Sequence, residues 1–79
     1  MDKRTRVRFG VEKWFRTNGY AFRIERYLKT KTVYSVTKSK HTEIFELPVD
    51  VIDVAGYMRL FEIQFKLSVG IAALEREAI

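Results

Sequence analysis

The side chains able to do covalent or acid–base chemistry are few in this chain of 79 residues: one histidine, His41, three serines, Ser35, Ser39 and Ser68, and no cysteine. Nucleophilic catalysis needs a hydroxyl or thiol with a base in hydrogen-bond reach. The single imidazole stands beside Lys40 in a basic stretch that reads as a solvent-exposed loop. The carboxylates offer no better pair. Asp50 and Asp53 lie three apart before a helix, and Glu43 and Glu46 fall on opposite sides of a strand, so neither couple has the further ligands that a metal needs. Gly10, Gly19, Gly56 and Gly70 are scattered rather than gathered into a phosphate-cradling loop. The expectation is a non-enzymatic protein with no metal and no cofactor.

What the chain has in quantity is charge, and it is segregated. Residues 1–40 hold twelve Lys/Arg against three acids, a net of +9, whereas residues 41–79 hold three bases against seven acids, a net of −4. A basic half offers itself to a polyanion, and the acidic half must then face elsewhere. The candidate phosphate contacts are Arg6, Arg8, Lys13 and Arg16 in the first predicted helix, Arg23, Lys29 and Lys31 in the first hairpin, and Lys38 and Lys40 in the second. Tyr27, Tyr34 and Trp14 are candidates for stacking on bases. The plainer alternative is that these cations only solvate exposed faces and protect strand edges.

The elements that must position them come from periodicity. Val7, Val11, Trp14 and Phe15 recur at i, i+4, i+7 and i+8, which predicts a helix over 5–17, stopped by Asn18-Gly19. The period then changes to two: Tyr20, Phe22, Ile24 and Leu28 alternate with Ala21, Arg23, Glu25 and Tyr27, with Arg26 interrupting the apolar side. Two more β-rich runs, 32–37 and 42–47, come after links short enough to require antiparallel hairpins, though neither link has an Asn-Gly or Asp-Gly turn. Pro48 ends the third strand, Asp50 or a neighbour could cap a helix after it, and Gly56 divides 49–55 from a helix over about 57–77.

The predicted architecture is a single α+β domain, α-β-β-β-α, a three-stranded antiparallel sheet with two helices packed on one face. Arg23, Glu25, Tyr27, Lys29, Lys31, Val33 and Ser35 are expected on the open face. This order resembles that of the double-stranded-RNA-binding domains, which grip phosphates with lysines at the start of the last helix and use a histidine in the first hairpin loop. Here Asp50-Val-Ile-Asp53 precedes the last helix and His41 lies in the second hairpin link, so the resemblance is one of topology alone.

The last helix is apolar over more than half its circumference. Met58, Phe61, Phe65 and Ala72 form one row, and Leu60, Ile63, Leu67, Ile71 and Leu74 form another beside it. A helix apolar on so much of its surface is buried on more than one side. Either the first helix and the sheet cover both rows, or Leu60, Phe61, Ile63, Leu67, Ile71 and Leu74 form a partner or dimer interface. With 47% apolar and 14% aromatic residues the chain is expected to fold, and without cysteine it is expected to suit the reducing cytoplasm. No signal peptide is read, because Glu12, Lys13 and Arg16 interrupt any early apolar run, and no membrane span, because Asp53, Arg59, Glu62 and Lys66 break the most apolar region. Two functions fit. One is a nucleic-acid-binding module (DNA or RNA) that contacts phosphates through its basic half. The other is a regulator or inhibitor of the phage or mobile-element accessory type, docking on an acidic or host protein, with a homodimer possible.

Overall fold

The computed structural model describes residues 2–77. The chain forms α1 (Lys3–Thr17), β1 (Ala21–Tyr27), β2 (Lys31–Lys38), β3 (His41–Pro48) and α2 (Val54–Glu77). This is the expected α-β-β-β-α order of an α+β protein, with β2 at the centre of an antiparallel sheet.

The first helix begins two residues before the apolar spacing requires because Asp2 caps it, its carboxylate accepting the Thr5 N–H at 2.7 Å. That bond holds the Asp2 carboxyl below its ordinary range. At the other end Gly19 takes a left-handed φ of 79°, while the Gly19 N–H reaches the Arg16 carbonyl at 3.3 Å and the Tyr20 N–H the Phe15 carbonyl at 2.8 Å. These are the two bonds of a Schellman ending, and the accompanying apolar contact is Tyr20 on Phe15. The chain therefore leaves α1 with Tyr20 already in the core.

In β1 the alternation breaks at Glu25. Ile24 pairs with Tyr34 and Arg26 with Val33, so Glu25 is an extra residue in a β-bulge. A one-residue shift exchanges the faces of everything beyond it. Tyr27 thus pairs with Thr32 and turns toward the helices, where the Arg4 guanidinium carbon lies 3.7 Å from its ring centre. This corrects its expected place on the open face. Arg26, the interruption in the apolar pattern, moves out to that face in exchange.

Lys38 pairs with His41, so the second hairpin closes in two residues, Ser39 and Lys40, with φ of 53° and 67°. Both stand in the left-handed region of a type I′ turn without the usual Asn-Gly. His41 is consequently the first residue of β3, half-buried against the Phe65 ring at 5.1 Å, rather than an exposed loop residue.

The last helix starts at Val54. Asp53 caps it, accepting the Gly56 N–H at 3.0 Å. Gly56 lies inside the first turn and divides nothing, and the space a side chain would take there is filled by the Asp53 carboxylate. Both helices cover one sheet face, meeting in a core of Val11, Phe15, Tyr34, Phe45, Met58 and Phe61. Phe15 sits among the edges of Tyr34, Phe45 and Phe61 at 5.5–5.8 Å, the edge-to-face arrangement that aromatic rings prefer. Both helices run toward the β2–β3 turn: α1 ends where the Lys38 ammonium donates to the Asn18 carbonyl at 2.9 Å, and α2 passes it at Phe65. Core contacts of α2 end at Val69, yet the helix continues to Glu77.

Candidate nucleic-acid interface

The capped, core-facing α1 fixes which of its bases meet solvent. Val11 and Phe15 bury one side, and Arg4, Arg8 and Glu12 flank them. The opposite side presents Lys3, Arg6, Lys13 and Arg16, all exposed, spread along a helix of about 22 Å. The one acid beside that side is the N-cap Asp2, engaged with the Thr5 N–H. Glu12, the helix's one acid, turns inward to accept the Tyr34 hydroxyl at 2.7 Å and Arg8 Nε at 3.3 Å.

The nine predicted contacts do not share one surface. Arg6, Lys13 and Arg16 lie together on the solvent face of α1, and Arg16 also reaches over the Phe22 ring at 5.6 Å. Arg8 is drawn toward Glu12 and the Tyr27 ring. On the open sheet face Arg23 pairs with Glu25 at 2.6 Å and Lys31 with Glu46 at 2.5 Å, so two of its bases are compensated and, among the described residues, Arg26 is not. Lys29 and Lys40 occupy the turns at opposite ends of the sheet, about 25 Å apart. Lys38 spans from Asn18 to the Tyr20 ring, its ammonium 4.6 Å from the ring centre.

The stacking candidates are rearranged too. Tyr34 is fully buried, Trp14 packs on Tyr20 with ring centres 5.4 Å apart, and Tyr27 lies under Arg4. Two aromatic rings reach solvent beside bases: Tyr27, 53% exposed next to Arg4 and Arg8, and, on the solvent face of α1, Phe9, 56% exposed. It stands three residues after Arg6, four before Lys13 and seven before Arg16, so helical spacing alone places it among them. Lys3 was legible by the same spacing.

Arg4 does a different job from its neighbours. Its guanidinium donates to the Leu28 carbonyl, to the Lys31 carbonyl at 3.2 Å and to Thr32 Oγ1 at 3.3 Å, tying α1 to the β1–β2 turn.

On α2 the two apolar rows separate. Met58, Phe61 and Phe65 are buried, whereas Leu60, Ile63, Leu67, Ile71 and Leu74 are each more than half exposed, so α1 and the sheet do not cover both rows. Phe61 belongs to the core, 8% exposed, and is corrected from the interface set. A groove between α2 and β3 is lined by Ile44, Phe61, Gln64, Leu67 and Ser68, with Glu43 at its side. The Glu43 carboxyl is held below its ordinary range by the bond to His41, with Ser68 adding to it. Among the described residues no three His, Asp or Glu side chains converge as metal ligands, and no helix is long and apolar enough to cross a membrane. Comparison with protein-family models, with curated proteins and with solved structures finds no match to this chain.

Proposed function

We propose that the protein is a non-enzymatic module that binds nucleic-acid backbone with little sequence preference through the solvent face of α1. One observation carries this reading: Lys3, Arg6, Lys13 and Arg16 share an exposed helix face with the exposed ring of Phe9, and the one acid beside them is the N-cap Asp2. Bases with an interleaved aromatic ring suit a single strand, whose phosphates track the cations while a base stacks. Helix stability gives no reason for this composition. The first turn of a helix favours acids, yet after the N-cap Asp2 α1 places Lys3 and Arg6 on its solvent face and has no acid in that turn. A polyanionic ligand is what gains from them.

If four phosphates are neutralised, log K falls against log[salt] with a slope of about −3.6 on duplex DNA and about −2.8 on a single strand. Exchange of Phe9 for serine weakens single-strand binding by about 1–3 kcal/mol and leaves duplex binding unchanged. A flat salt response overturns the reading. The competing reading, a regulator that docks on a host protein, draws on the exposed aliphatic row of α2. Charge reversal at Lys13 and Arg16 set against a polar residue at Leu67 separates the two, since only the first change removes nucleic-acid binding if the proposal holds.

A further inference from the structure

The exposed row on α2 is a palindrome. Leu60, Ile63, Leu67, Ile71 and Leu74 read Leu-Ile-Leu-Ile-Leu with spacings of three, four, four and three, symmetric about Leu67. A two-fold interface requires this kind of self-complementarity, in which a residue i meets j while j meets i. We propose that this face is covered by a second copy of the chain, α2 packing antiparallel on α2 with the two-fold axis at Leu67. Leu60 of each copy then meets Leu74 of the other, and Ile63 meets Ile71.

The shape of the monomer fits this occupant. The last turns of α2 run beyond Val69 with Ile71 56% and Leu74 66% exposed and no core beneath them. The groove beside β3, with Ile44 63% exposed at its rim, lies along the other half of the same helix. The two-fold sets each projecting end into the groove of the other copy. Gly70 has nothing within 4 Å of where a side chain would begin, so its own monomer does not need it small. In the antiparallel pair it faces Ile63, and a glycine lets the two helices approach closely there.

Charge agrees with the same orientation. Arg59 has no ion-pair partner among the described residues, and the pairing brings Glu77 of the second copy to the same flank of the interface. An in-register parallel pair sets Arg59 against Arg59. The row presents on the order of 600 Å² of apolar surface per copy, close to the roughly 800 Å² each partner gives to a standard interface. The dimer does not depend on the nucleic-acid reading, since α1 keeps its solvent face free.

Absolute mass in solution at micromolar concentration is expected to be that of two chains. Leu67→Glu places two carboxylates at the axis and is expected to give a folded monomer, because Leu67 is 62% exposed and outside the core. The absence of native cysteine allows the orientation to be read directly. Mixed Leu60→Cys and Leu74→Cys chains are expected to form the 60–74 disulfide in oxidising buffer, and Leu60→Cys alone none. A monomeric wild type overturns the proposal, as does a mass unchanged by a folded Leu67→Glu chain or a 60–60 disulfide. Salt-dependent nucleic-acid binding is scored separately, so either idea can fail alone.

Discussion

Tyr34 shows how one residue ties the helical and sheet layers together and sets a pH limit. It is fully buried at the centre of β2, and its hydroxyl donates to the Glu12 carboxylate, which also accepts from Arg8. Burial, with the Glu12 bond second, pushes the phenol far above its ordinary value of 10.0. Burial also raises Tyr20 and Tyr57. A group whose folded pKa is raised lends stability that is complete below its unfolded pKa and is lost as pH climbs through the folded one. The thermal midpoint is therefore expected to hold at neutral pH and to fall from about pH 10 upward. Tyr34→Phe is expected to cost about 1 kcal/mol at neutral pH through the missing hydrogen bond, and to flatten the alkaline decline. Thermal melts of both proteins across that range check this, and an unchanged alkaline slope in Tyr34→Phe counts against Tyr34 as its source.

Among the elements, the β2–β3 turn carries avoidable strain. Ser39 and Lys40 both adopt left-handed φ, which costs a residue with a Cβ about 1–2 kcal/mol, whereas asparagine tolerates the region and glycine is at ease there. Replacing the pair by Asn-Gly is expected to stabilise the fold by about 1–2 kcal/mol in chemical denaturation with an unchanged slope. A neutral or destabilising result shows that the turn is relaxed. This turn also marks where the sequence stopped being legible. Helix α1, the three strands and their antiparallel order come from periodicity and short links, and the Schellman end from Asn18-Gly19. The turn without Asn-Gly carried no local signal, so register at Lys38 and His41 had to come from pairing along all of β2. The bulge at Glu25 left only one trace, Arg26 on the apolar side, and its consequence for Tyr27 depends on tertiary pairing. The width of the apolar arc on α2 was plain, but which row the core covers is set by how α2 lies on β3. The same limit applies to the basic residues: their number was evident, while Glu25, Glu46 and Glu12 decide which of them are neutralised, and those partners are distant in sequence or set by side-chain direction.

At the scale of the whole molecule, the segregation of charge along the chain becomes a segregation between surfaces. The open sheet face pairs Arg23 and Lys31 with Glu25 and Glu46, while the solvent face of α1 carries Lys3, Arg6 and Lys13 without an ion pair among the described residues, the N-cap Asp2 being held by the Thr5 N–H. Lys3 and Arg6 are one turn apart, well inside the screening length of about 10 Å at 0.1 M salt, and both also oppose the positive end of the helix dipole. On a protein of net charge +5 such a face works against compactness. Bases kept for packing and bases kept for a ligand therefore predict opposite signs. Replacing Lys3, Arg6 and Lys13 together by glutamine is expected to raise the thermal midpoint slightly at low ionic strength, because like-charge repulsion and the unfavourable helix start are both relieved. The difference is expected to shrink as salt screens the wild-type face, while nucleic-acid affinity falls and its salt slope flattens by roughly one unit for each phosphate no longer neutralised. A midpoint that drops at every salt concentration assigns these side chains to the fold. A midpoint that rises while binding disappears means that the protein carries its basic face at the expense of its own stability, as a surface retained for an anionic ligand does.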